Sequence, residues 1–213
     1  METTAESDPL PPMEKCNMKA IIGPFQPQLR NCLRACQKQQ KRYMELMNES
    51  LNSVISYSNT VTQLTYVYSD NWGVLTPFKS IQDETVRKVK EQILSQEATC
   101  KEALDRFSEC IRLIQMELER MQYIHRELNQ LIEEDVLNTV YILDGVSTIQ
   151  DMERLLSAFL ENLRMDLSMR RDIVSSMQKA TTDQMGVYAS AWKYGPCVDS
   201  ELQQCYQSLL DNE

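Results

Sequence analysis

From Phe78 to Asp144 the chain contains neither proline nor glycine, and its apolar residues return every seven positions. Val86, Ile93, Cys100, Phe107, Ile114, Met121 and Leu128 make one row. Leu104, Ile111, Leu118, His125 and Ile132 make a second, offset by four. Such 3-4 spacing sets both rows on one stripe of a helix, the pattern of a coiled-coil seam. At about 1.5 Å per residue a helix of this span is roughly 90 Å long. It cannot bury its seam against itself, so it needs another helix. The heptads fit a partner from the same chain or from a second one.

The rest of the chain supplies further helices. Residues 1–26 carry Pro9, Pro11, Pro12, Gly23 and Pro24 and read as a disordered tail with apolar islands at Ile21, Ile22 and Phe25. Those islands suit a short docking motif or a local packing anchor. Pro27 suits a helix start, and a stripe from Leu29 to Tyr68 predicts a first helix ending before Asp70-Asn71-Trp72-Gly73. The second helix is expected from about Ile81 to Val136, loosely packed at first because Lys90 and Glu97 occupy seam positions. Residues 27–144 thus form a long antiparallel helical hairpin. Over 145–213, Ser147 and Gln150 match a capping box. They open a third long helix to about Ala180, with Met152, Leu156, Phe159, Leu163, Leu167, Val174 and Met177 on its apolar face. Short helices around 183–194 and 200–210 follow, divided by Gly195-Pro196. The expected fold is all-α, an elongated antiparallel bundle or coiled coil with a small C-terminal helical segment.

Composition narrows the function classes. A net charge of −9 argues against a general nucleic-acid binder. The exception is a local strip, Arg30, Arg34, Lys38, Lys41 and Arg42, which reads first as a solvated face and second as a docking strip for an acidic partner or RNA. No apolar run approaches the roughly 18 residues of a membrane span. Met1 to Pro12 has no basic n-region or apolar h-region, so no signal peptide is expected. The seven cysteines, an odd count, read as reduced small hydrophobes rather than a disulfide framework. The sequon Asn48-Glu49-Ser50 lies within a predicted helix and reads as accidental.

Catalytic and metal constellations are lacking. With His125 as its one histidine, the chain has no two-histidine zinc site. His125 and Glu127 spell H-x-E, but Pro196-Cys197 is followed by Cys205 rather than by a cysteine three positions on, so the zinc-deaminase pattern fails. The heptad places His125 in the seam, as a polar or register-setting residue. The acidic run Glu133-Glu134-Asp135 reads as a solvated face, and no Gly-rich phosphate loop is present. No enzyme activity and no cofactor are expected.

The C-terminal third carries a resemblance. Leu160-Glu161, Arg164, Asp166-Leu167 and Arg170-Arg171 lead to Tyr188, Ser190, Trp192, Pro196, Val198 and Ser200, the pattern Y-x-S-x-W-x-x-x-P-x-V-x-S. This segment resembles the end of the CINP (cyclin-dependent-kinase-interacting protein) family. The helical AIRIM family is similar at Arg170-Arg171, Ser175-Ser176-Met177-Gln178 and Ala191-Trp192. The N-terminal 27 residues match neither family.

What the resemblance implies is a nuclear and cytoplasmic, non-catalytic adaptor of an AAA+ ATPase complex. That complex serves large ribosomal subunit maturation and replication or genome maintenance. The implied partners are a second small helical subunit, the ATPase subunits, and cell-cycle kinase or checkpoint factors. From the residues, the seam Cys100, Leu104, Phe107, Ile111, Ile114, Leu118, Met121 and Leu128 is expected to carry pairing with the second subunit. Tyr188, Trp192 and Pro196 are expected to form a C-terminal anchor, either structural or for docking a partner. The rival reading is a structural coiled-coil subunit of a cytoskeletal, kinetochore or tethering assembly.

Overall fold

A computed structural model of the chain describes residue 18 and residues 20–69, 72–137 and 148–195, with 134 and 135 described by backbone alone. Among these residues there is no strand. The helices are α1 (Gln26–Val67), α2 (Lys79–Leu131), α3 (Glu134–Leu137), α4 (Ile149–Ser176) and α5 (Thr182–Tyr194). The expected all-α antiparallel bundle is what the chain forms. None of the described helices is long and apolar enough to cross a membrane.

Side-chain pairs fix the register of the long helices. Gln96 of α2 donates to Ser56 of α1 at 2.7 Å and Phe107 meets Tyr43, so the two run antiparallel. Helix α4 runs antiparallel to α2, held by Arg164 to Gln115 at 3.0 Å and Arg171 to Ser108 at 2.9 Å. At its far end Gln178, in a 3-10 turn (Met177–Lys179), donates to Glu97 at 2.7 Å. The chain then turns through Ala180 and Thr181, and α5 packs against α1.

Local chemistry explains the boundaries. Gly73 takes a left-handed φ of 54° in the hairpin loop, and the Gln82 side chain donates to the loop carbonyls of Leu75 and Thr76. Helix α2 ends at Leu131, before the expected Val136, because Ile132 is extended and a new turn begins at Glu134. Three acids in sequence are unfavourable at a helix C-terminus and favourable at an N-terminus, so a break ahead of them suits their charge. Helix α4 is capped one residue later than the sequence suggests. Thr148 Oγ1 accepts from the Asp151 N–H at 3.1 Å, and Asp151 accepts in return from the Thr148 N–H. A carboxylate at that position suits the positive helix end better than the neutral Gln150 amide. Helix α5 has a second box, Thr181 with Gln184, and stops at Gly195 with φ 52°.

The heptad seam forms the core, and it is wider than two rows. Cys110 and Ile124 are buried beside it, because α2 packs on α1 along one side and α4 along the other. The last residues of the segment read as a tail also pack. Residues 20–22 are helical, Ile22 is buried, and Ile21 and Phe25 lie against the core. The apolar islands there act as a packing anchor.

Candidate functional site

Every seam residue expected to meet a second subunit lies inside this chain's own core. Cys100, Phe107, Ile114, Met121 and Leu128 are fully buried, and Leu104, Ile111 and Leu118 nearly so. The partners that the heptads require are α1 and α4 of the same chain. Trans pairing through these side chains would require the bundle to open. Trp192 is likewise fully enclosed, while Tyr188 is half-buried at the rim of a groove. Pro196, the predicted helix over 200–210 and most of the tail lie outside the described residues.

Trp192 closes a buried polar cluster that joins four helices. Its indole N–H donates to Ser50 Oγ of α1 at 2.9 Å, and the Ser50 hydroxyl donates to the Leu46 carbonyl at 2.6 Å. The Trp192 carbonyl accepts from an Arg170 guanidinium N–H at 2.9 Å. Arg170 and Asp166, one turn apart on α4, are both fully buried, and Arg170 Nε donates to Asp166 Oδ2 at 2.7 Å. Tyr43 of α1 donates its hydroxyl to the same carboxylate oxygen at 2.7 Å. Burial and the Asp166 charge push the Tyr43 hydroxyl pKa well above its ordinary value. The Arg170 guanidinium also lies 5.1 Å from the Phe107 ring centre and 4.9 Å from that of Trp192, within cation–π range. Charges this deep are tolerated when paired and hydrogen-bonded. Every connection runs within the chain, so the cluster locks α5 onto the bundle.

The remaining sequence candidates resolve into local roles. His125 Nδ1 lies 3.0 Å from Glu153 of α4, both partly buried, so its partner comes from across the bundle and not from Glu127. In the basic strip, Arg42 pairs with Glu45 and Glu49 on its own helix, while Arg34, Lys38 and Lys41 are exposed. Cys32, Cys36, Cys100 and Cys110 are buried thiols outside any disulfide. Burial and the neighbouring Glu117 raise the Cys32 thiol to about 12, and burial with Glu97 raises Cys100 to about 11. These thiols are poor nucleophiles at neutral pH. Among the described residues no group of three His, Cys, Asp or Glu is arranged to hold a metal ion.

What the fold leaves exposed is more informative. The three-helix section ends near Glu97, where Gln178 closes α4's contact with α2. Beyond it α1 and α2 continue as a two-helix arm, roughly 25 Å long at about 1.5 Å per residue. No described residue from 62 to 92 is buried. Tyr66, Tyr68, Val74, Phe78, Ile81 and Leu94 are exposed along this arm. Two open grooves stand out. One, about 300 Å³, lies at the root of the arm between Val61, Leu64, Lys90, Ile93, Leu94 and Gln178. The other, about 570 Å³, runs between α4 and α5, lined by Met165, Met169, Ile173, Val187, Tyr188 and Ala191 among others.

Lys90 and Glu97, two charged residues in otherwise apolar seam rows, gave the loose packing at the start of α2 but not the length of the arm, because a heptad row reports which face is apolar and not how far a third helix covers it. Sequence reasoning also missed the Arg170–Asp166 burial, since an i, i+4 charge pair reads by default as a solvated helix surface. No protein-family model and no curated protein significantly matches the chain.

Proposed function

We propose that this chain is a non-catalytic adaptor subunit that binds other proteins through its helical surfaces. The observation that carries this reading is the two-helix arm. The bundle fills its own core, yet keeps large apolar and aromatic side chains exposed over one end. Exposed apolar and aromatic side chains gathered at one end suit a protein-docking surface. The polar clusters inside the bundle fasten helices together, and His125 is occupied by Glu153.

The finer reading is an adaptor of an AAA+ ATPase complex acting in large ribosomal subunit maturation and in replication or genome maintenance. The Tyr188 to Ser200 pattern and its resemblance to the CINP family support it. Partner contacts then fall on surfaces the bundle leaves open rather than on the seam. Gentle purification of the N-terminally tagged chain from its own cells, followed by mass spectrometry, tests it. Recovery of AAA+ ATPases with a second small helical protein is the expected outcome. Recovery of tubulin-associated, kinetochore or tethering proteins in their place would overturn it in favour of a structural coiled-coil subunit.

A further inference from the structure

We propose that the groove at the root of the arm receives an amphipathic helix of a partner protein, with apolar side chains at helical spacing and a carboxylate opposite Lys90. The proposal rests on the adaptor reading and names its binding surface.

Continuity with the packing already present argues for a helix. Helix α4 lies along α2 from the His125–Glu153 contact to the Gln178–Glu97 bond, and its closing 3-10 turn meets α1 as well as α2. At Ala180 the backbone becomes extended (ψ 148°) and the chain turns away into α5. The α1 and α2 ridges run on without it. Val61 and Leu64 line one side, and Ile93 with the exposed Leu94 the other. A groove between two antiparallel helices, closed at one end by Gln178, is filled best by another helix, whose i, i+3, i+4 and i+7 positions match the ridge spacing.

Charge defines the occupant further. Arg87 and Lys88 are neutralised on their own helix by Glu84 and Glu91. Lys90 points its ammonium at the Tyr68 ring, 5.5 Å from the centroid, and among the described residues no carboxylate pairs with it. The occupant supplies that carboxylate. The groove between α4 and α5 has Asp172 in its lining instead, so it does not share this preference.

The test uses the full-length chain and two designed helical peptides, each with leucine at heptad positions a and d. One carries glutamate at e and g, the other lysine. Binding is followed by fluorescence anisotropy of labelled peptide. Since the chain's net charge is −9, non-specific attraction favours the lysine peptide, and preference for the glutamate peptide reports the groove. The glutamate peptide is expected to bind more tightly, to weaken about tenfold or more on Leu94→Glu, and to lose its advantage on Lys90→Glu. Met165→Glu, in the other groove, should leave its binding unchanged. Circular dichroism confirms that each variant stays folded. No preference, sensitivity to Met165→Glu alone, or a concentration-dependent dimer abolished by Leu94→Glu would each overturn the proposal, the last assigning the groove to a second copy. The two readings fail separately. Loss of peptide binding with ATPase co-purification intact removes only the groove, whereas peptide binding without any ATPase partner removes only the adaptor's assigned complex.

Discussion

Arg170 Nε lies 2.7 Å from Asp166 Oδ2, and neither side chain has any exposed surface. An i, i+4 pair on a helix surface is worth only a few tenths of a kcal/mol. In the interior, removing one partner strands an uncompensated charge and costs about 3–5 kcal/mol. Asp166→Ala should therefore lower the urea midpoint far more than the surface variant Glu102→Ala, which breaks the exposed pair with Arg106. Asp166→Leu with Arg170→Met should recover much of the loss, because apolar replacement of both charges removes the desolvation penalty as well as the attraction. A double variant no more stable than either single change would show that the hydrogen bonds to Tyr43 and Trp192 outweigh the ion pair.

Tyr43 and Ser50 are the α1 ends of that cluster. Tyr43→Phe keeps the 4.6 Å ring contact with Phe107 but removes a donor from the Asp166 carboxylate. Ser50→Ala leaves the buried Trp192 N–H without its acceptor. Each should cost about 1–3 kcal/mol, the range for an unsatisfied buried polar group. Denaturant titration of both variants checks the magnitude. Ser50→Ala should also loosen α5, read as faster amide exchange between Met185 and Trp192 than in Tyr43→Phe.

Alkaline pH should destabilise the fold from about pH 9 upward. The Cys32 and Cys100 thiols ordinarily titrate at 9.0 and are raised to about 12 and about 11 in the bundle, chiefly by burial. A raised acid pKa means that the unfolded chain releases its protons first. The stabilisation is therefore complete below the unfolded value and is lost as pH rises toward the folded one. The Tyr57 hydroxyl, raised by burial to about 12 from 10.0, adds to the fall at higher pH. Urea midpoints of the reduced protein should be flat to about pH 9 and decline above it. In Cys32→Ala with Cys100→Ala the decline above pH 9 should be shallower, the buried Cys110 thiol being raised as well. The same slope in the double variant would exclude Cys32 and Cys100 as its cause.

The sequence made the all-α bundle legible because the heptad rows and the glycine and proline breaks each carry a direct physical consequence. Helix ends were legible to within a few residues where a breaker stands, as at Gly195, and less so where charge alone decides, as at Ile132. The Thr181–Gln184 capping box was readable but overlooked. Long-range pairing was not readable. Nothing local says that His125 meets Glu153 or that Trp192 meets Ser50, whereas Arg170, three residues after Leu167 and four before Val174, stands on the apolar face of α4 and was readable as inward. Two apolar rows also cannot distinguish a seam shared with another chain from one closed by α1 and α4. That ambiguity set the expected partner contacts on side chains that the fold buries in its own core.

Phe107 separates those two meanings of the seam. It is fully buried, 4.6 Å from the Tyr43 ring, 6.2 Å from Trp192 and under the Arg170 guanidinium. Truncation to alanine removes a ring from the point where α1, α2, α4 and α5 meet, and should cost about 3–5 kcal/mol. Aspartate at Phe107 and Ile114 would add two carboxylates to a core whose buried cation, Arg170, already serves Asp166. That double variant should lose cooperative unfolding altogether, measured by circular dichroism on the isolated chain with no partner present. Leu94→Ala on the exposed arm should change stability by no more than about 0.5 kcal/mol, the range for surface substitutions. If the double aspartate variant instead folded alone with a normal transition, the seam would not be the chain's own core, and its side chains would be free to pair with a second subunit.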